Sequence, residues 1–153
     1  METPTVVPSL AYADPKAATE WLADAFGFEL TMAIEDPDNP AMAHYEMSCG
    51  GTGRVMLGGH WVEWFRSPSA AGGINTQTVH VSVDAGIDSH FDHSRAHGAE
   101  IIQEPADQFF GHRTYRALDC EGHCWTFSQK VREVTRAKAE AAIGVPIFAT
   151  EWA

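Results

Sequence analysis

Cysteine is scarce in this chain, three residues in 153, and Cys49, Cys120 and Cys124 form no Cys-x-x-Cys pair. An odd number without that spacing argues against a disulfide framework or a thiolate zinc site, and each reads as a small buried side chain in a reducing, cytoplasmic setting. Positive charge is scarce as well: 10 Lys+Arg against 21 Asp+Glu leave a formal net charge of -11. Such a chain repels polyphosphates and anionic lipid surfaces, so nucleic acid and membrane are poor partners. No apolar run approaches the ~20 residues that span a bilayer, and the opening METPTVVPSLAYADP lacks a basic start leading into an apolar stretch. A soluble protein without a secretory leader is expected. Nucleophile motifs are missing too. No Ser stands in a G-x-S-x-G setting, and Gly50-Gly51-Thr52-Gly53 lacks the Lys and following helix of a phosphate loop, which leaves a turn.

What is present is a folding composition, 44% hydrophobic and 10% aromatic, punctuated by 13 Gly and 8 Pro. Thr5 to Tyr12 is β-prone and carries one Pro, which suits a sheet edge. Asp14 can cap a helix opened by Pro15, with Ala18, Trp21, Leu22, Ala25 and Phe26 at helical spacing and Gly27 as the stop. Phe28 to Met32 alternates like a strand, 35–40 is a polar loop, and strands near Ala43–Cys49 and Arg54–Gly58 flank a Gly-rich hairpin. The second half repeats this order. Val79 to Val83 reads as a strand, Asp84 stands where Asp14 stood, and Ile87, Phe91 and Ala96 mark a helix ending at Gly98. The loop reappears at Gln103–Gln108, and strands near Arg113–Leu118 and Cys124–Ser128 flank the turn at 119–122. Asp14 to Gly27 is 13 positions and Asp84 to Gly98 is 14; Gly27-Phe28-Glu29-Leu30 is matched by Gly98-Ala99-Glu100-Ile101. The expectation is a duplicated α+β protein. It has tandem β-α-β-β-β modules at 5–58 and 76–130, a linker at 59–75, and a C-terminal helix and tail at 131–153. Thr135 would cap that last helix and Gly144 stop it. The apolar tail ending in Trp152 should pack on the body or on a partner subunit.

The paired pattern, Trp21-Leu22 followed by Phe26-Gly27-Phe28-Glu29, and above all Asp119-Cys120-Glu121-Gly122-His123-Cys124-Trp125-Thr126-Phe127 resemble the vicinal oxygen chelate superfamily. That superfamily includes glyoxalases, extradiol dioxygenases and the fosfomycin- and bleomycin-resistance proteins. Gly111 to Arg116 resembles its glyoxalase/bleomycin-resistance branch. The resemblance implies a cleft between the uncovered faces of two modules, completed in many relatives by homodimer formation. In metal-dependent members His, Glu or Gln on the first and last strands of each module hold Fe, Mn, Ni or Zn, which polarises a chelated substrate. Here those positions match Val7 and Leu57 in one half and Thr78 and Thr126 in the other, none an ordinary ligand.

Two readings follow. One is a metal-independent binding protein without cofactor that holds a small apolar or aromatic ligand in the cleft. Its candidate contacts are Trp61, Trp64, Phe65, His80, Phe109, Phe110, Tyr115 and Trp125; Trp125 could equally be core. The acidic surface weakly favours a cationic ligand. The other is a metal-dependent enzyme, a glyoxalase-like lyase or isomerase or a dioxygenase, with a displaced site at His44, Glu46 and His80. His90, His93 and His97 recur at helical spacing and read as a solvated face. Cys124 and His123 should point to opposite sides of their strand.

Overall fold

The computed structural model describes residues 4–153. The first module comprises β1 (Ser9–Ala11), α1 (Pro15–Phe26), β2 (Glu29–Ile34), β3 (His44–Cys49) and β4 (Gly53–Gly58). The second comprises β5 (Val79–Ser82), α2 (Ile87–Ala96), β6 (Glu100–Asp107), β7 (His112–Leu118) and β8 (Cys124–Lys130), and α3 (Arg136–Ile143) follows. Each module forms a four-stranded mixed sheet, ordered β1-β4-β3-β2 and β5-β8-β7-β6. The matching orders, with β1 parallel to β4 and β5 parallel to β8, establish the internal repeat.

Local sequence sets these elements. Asp14 accepts the backbone N–H of Ala17 at 3.1 Å, Pro15 fills the first turn, and Gly27 closes α1 in the left-handed region. Ala18, Leu22, Ala25 and Phe26 form the buried stripe. The second module starts differently. Asp84 makes no cap; Gly86, at φ 76, precedes α2, and the Ile87 N–H is met from another strand by Gln129 Oε1 at 2.9 Å. The stretch from Gln103 is likewise no loop. Residues 100–107 form β6, irregular around Gln103, and Pro105 is tolerated because β6 is an edge strand.

Each sheet turns one face to the helices. Tyr45, Met47, Val55 and Leu57 from one module and Val81, Tyr115, Ala117, Trp125 and Phe127 from the other belong to one continuous core. Phe26 joins the halves, its ring 5.9 Å from Trp125 and 4.8 Å from Phe127. His90 is not on a solvated face. It packs on Phe26 and Phe127 and is hydrogen-bonded to the Phe26 carbonyl at 3.0 Å and to the Tyr115 hydroxyl. A carbonyl only accepts, so Nε2 carries the proton and Nδ1 accepts from Tyr115. Burial lowers the His90 pKa. His93 and His97 are exposed and stacked on one another.

The turn after β7 stitches the modules together. One Asp119 oxygen accepts from the Tyr12 hydroxyl at 2.6 Å and from Trp125 Nε1 at 3.0 Å; the other accepts the backbone N–H groups of Glu121 and His123, both at 3.0 Å. His123 Nε2 donates to the Ala11 carbonyl at 2.7 Å. The carboxylate of Glu121 receives the N–H groups of Ala13 and Asp14. Burial and the Asp119 carboxylate hold the Tyr12 hydroxyl well above its usual pKa, so it is a standing donor.

At the C-terminus the Gly111 carbonyl accepts from Val131 and Arg132. A Cβ at Gly111, which has φ +91, would lie 2.5 Å from the Arg132 carbonyl oxygen. Thr135 caps α3 through the Lys138 N–H, and Gly144 ends it. The tail folds back on that helix: Arg136 Nη1 donates to the Ile147 carbonyl, Glu140 accepts the Ile147 N–H, and Trp152 Nε1 donates to the Val134 carbonyl. Trp152 is half-buried, whereas Phe148 is 91% exposed, so the tail is only partly covered.

Candidate functional site

Side chains alternate along a strand, so the residues between the core positions define the opposite, uncovered face of each sheet. On the first sheet, register places Met32, Glu46, Met56 and Ser9 in one row across the strands. On the second, the corresponding row is Gln103, Arg116, Thr126 and His80. The equivalence corrects the strand positions inferred from sequence. Leu57 points into the helix-covered core with no exposure, and its neighbour Met56 takes the uncovered position. Ser9 and His80, two residues beyond Val7 and Thr78, are the first-strand residues paired with the last strands. Thr126 does occupy the uncovered face, as its register opposite Arg116 and His80 requires.

The two helix-covered faces share one core, which leaves the uncovered faces on the outside of each module pair. This differs from the arrangement expected within a single chain. Of the five principal hollows among the described residues, none is lined by both the Glu46 row and the Arg116 row.

Aromatic residues gather at one end of each face. Trp61, Trp64 and Phe65 form a cluster with ring centroids 5.6 to 6.4 Å apart. Phe65 lies against Gly58, where a Cβ would meet its ring at 3.4 Å, beside a hollow of about 330 Å³ that also includes Ser9, Ile74 and His123. Phe109 and Phe110 pack edge to face, and Phe110 lies against His112. Phe110 and His112 border a larger hollow of about 830 Å³ closed by Lys130, Val134 and Trp152. Trp152, from the C-terminal tail, is a wall that the sequence reading did not place at the site. Its signal was an apolar chain end with a tryptophan in it.

Tyr115 and Trp125 leave the set of ligand contacts. Both are fully buried under the helices, Tyr115 bonded to His90 and Ser94 and Trp125 to Asp119. Strand alternation decides this: they flank Arg116 and Thr126 and so point the other way. His80 stays on the uncovered face, exposed.

The displaced metal set is only partly assembled. His44 Nε2 lies 3.2 Å from Glu46 Oε1 on the first sheet, but His80 belongs to the second sheet. Among the described residues of one chain no group of three His, Cys, Asp or Glu is placed to hold an ion. Within one chain His44, Glu46 and His80 are therefore not brought together. The three thiols are free, but only Cys49 is buried as expected, Cys124 being half-buried and Cys120 exposed; burial holds the Cys49 and Cys124 thiols above their ordinary pKa. Protonated thiols are weak nucleophiles. His123 is buried and bonded to Ala11, away from Cys124.

A family model for the glyoxalase/bleomycin resistance protein/dioxygenase superfamily matches residues 5–127. The chain belongs to that superfamily. Among solved structures it is similar to TioX from Micromonospora sp. ML1, at 36% identity over 86% of this chain and 100% of that one, with a TM-score of 0.62. The fold, without closer kinship, is shared with the fosfomycin resistance protein FosX from Listeria monocytogenes, at 11% identity, TM-score 0.61, covering 91% of this chain and 99% of that one. An uncharacterised protein of Mycobacterium bovis is 27% identical over 144 residues, covering 92% of each chain. No helix among the described residues is long and apolar enough to cross a membrane.

Proposed function

We propose that this superfamily member is a cytoplasmic small-molecule-binding protein of the bleomycin-resistance kind. It works without a resident metal, and its apolar or aromatic ligand is held against an uncovered sheet face and enclosed when two copies pair. The observation that carries this reading is the chemistry of the paired first- and last-strand positions: Ser9 with Met56, and His80 with Thr126. One imidazole among those four side chains is too few donors for a chelating ion, while aromatic rings stand at the ends of both faces. Trp61, Trp64, Phe65, His80, Phe109 and Phe110 are the contacts, with Trp152 added.

A second reading rests on the His44–Glu46 pair. Pairing of two copies could bring one chain's His80 toward the other's pair, giving a metal-dependent lyase, isomerase or dioxygenase. Metal analysis of protein purified without chelator, together with thermal shift against aromatic compounds, separates the two. Near-stoichiometric Fe, Mn, Ni or Zn that disappears in both Glu46→Ala and His80→Ala replaces the first reading with the second. Sedimentation at low concentration reads the oligomeric state.

A further inference from the structure

The uncovered face of the second sheet carries an arginine among neutral polar side chains, although the chain as a whole is acidic. Arg116 sits on β7, an inner strand of its sheet. Its Nε donates to Thr126 Oγ1 at 3.1 Å, and Thr126 is itself only 3% exposed. That bond uses one edge of the guanidinium and orients the plane, leaving the two terminal nitrogens directed away from Thr126. Among the described residues Arg116 has no carboxylate partner, although the chain carries 21 Asp and Glu. Arg95 and Arg136 each hold one, and Arg113 holds two.

The neighbours of Arg116 in register are polar and carry no negative charge. Gln103 lies in register on one side and His80 beyond Thr126 on the other, about 5 Å per strand step. The adjoining row is Thr114, Ser128 and Ser82, and the end row pairs His112 with Lys130. No carboxylate stands at the paired strand positions of these three rows, although Lys130 is bridged to Glu133, and Glu133 and Glu151 line the hollow beyond it. Glu100 stands at the sheet edge opposite Leu118. Four residues along β7 from Arg116, about 13 Å at strand rise, the Phe110–Trp152 hollow opens beside His112.

We infer that Arg116 is an oxyanion-binding subsite, and that the ligand is a small molecule with a carboxylate or phosphoryl head on Arg116 and an apolar body directed along the face toward Phe110 and Trp152. This rests on the binding reading above and adds the ligand's charge, which is opposite to that suggested by the net charge of the chain. Long-range repulsion from a net -11 surface is screened beyond about 10 Å in ordinary salt, whereas a guanidinium fork on an oxyanion acts at contact distance. Thr126 is a positioning residue: its hydroxyl fixes the fork.

The test is calorimetric titration of the full chain with three probes that share a phenyl body: phenylphosphonate, benzyl alcohol and benzylamine. Phenylphosphonate is expected to bind most tightly, and its affinity to fall as salt is raised. Arg116→Gln should weaken phenylphosphonate by about 10- to 100-fold, the range for charge-assisted hydrogen bonds, and leave benzyl alcohol unchanged. Arg116 is exposed, so the variant should keep the wild-type urea midpoint. Thr126→Val should lose part of the phenylphosphonate affinity and Thr126→Ser restore it, a rescue that a packing role alone would not give. If benzyl alcohol or benzylamine binds as well as phenylphosphonate, or if Arg116→Gln leaves phenylphosphonate affinity intact, the oxyanion subsite is refuted and the binding reading stands. Loss of subunit pairing in Arg116→Gln without loss of affinity refutes it too, by giving Arg116 to the interface. If none of the three probes binds, both the subsite and the binding reading fall.

Discussion

Replacing Asp119 with Asn tests how the two modules are joined. The substitution keeps size and shape and exchanges one carboxylate oxygen for an amide NH2. The oxygen on the Glu121 and His123 N–H groups can be kept, since it need only accept. The NH2 then faces Tyr12 and Trp125, which meet the native carboxylate as donors. The indole N–H of Trp125 has no acceptor role to fall back on, and both residues are fully buried, so water cannot relieve the clash of donors. Tyr12 can rotate its hydroxyl and accept, recovering part of its bond. Two hydrogen bonds to a charged group contribute about 1.5–3 kcal/mol each, so with that recovery the loss is about 3–4 kcal/mol. For a chain of this size that corresponds to a fall in Tm of roughly 6–16 °C. Urea unfolding should show a lower midpoint with an unchanged slope. Tyr12→Phe removes one donor and should cost about 1–2 kcal/mol, and combined with Asp119→Asn the losses should be less than additive because they share a partner. An Asp119→Asn protein within 1 kcal/mol of wild type would show that Asp119 is not the hub described above.

The other predictions are simpler. Trp125→Ala should cost about 3–5 kcal/mol by opening the shared core, whereas Trp64→Ala, at a residue 75% exposed, should stay within about 0.5 kcal/mol and act on ligand binding instead; denaturation beside titration separates the two. Burial depresses the His90 pKa, so the unfolded chain binds a proton there more readily than the folded one. The stability His90 contributes is complete above its unfolded pKa of about 6.5 and is lost as pH falls toward the folded value. Urea midpoints measured at pH 7.5 and 5.5 should differ less in His90→Gln than in wild type, with His60, depressed in the same direction, accounting for a remaining slope. Gly111→Ala should cost about 1–3 kcal/mol by setting a Cβ against the Arg132 carbonyl. Hydrogen exchange should show the loss first at Val131 and Arg132, whose N–H groups bind the Gly111 carbonyl.

Much of the fold was legible because it is written in short-range chemistry. Asp14 with Pro15 opens α1 and Gly27 closes it; Thr135 and Gly144 do the same for α3. The Gly-rich hairpin and the matched spacings revealed the repeat, since each depends on neighbours a few residues apart. Where reading failed, local chemistry was ambiguous. Asp84 has the right type for a cap, yet the chain leaves it two residues early for Gly86. Gln103 to Asp107 is polar enough for a loop and becomes a strand because β7 offers it a ladder.

The site was less legible for a reason of geometry. A tryptophan or tyrosine in a strand carries no mark of which face it takes, and a one-residue difference in register exchanges core for surface. Tyr115 and Trp125 were aromatic in the right strands and face the wrong way; Arg116 and Thr126, between them, face outward. The sequence by itself determined the duplicated β-α-β-β-β architecture and the caps and turns of α1 and α3, because those follow from residue type and spacing. Tertiary structure alone decided that the helix-covered faces join in one core, that His90 is half-buried between the modules, and that an acidic chain shows an arginine without a carboxylate partner on one sheet face. Those outcomes depend on strand register and on which surfaces exclude water together, and neither is a property of any short stretch of chain.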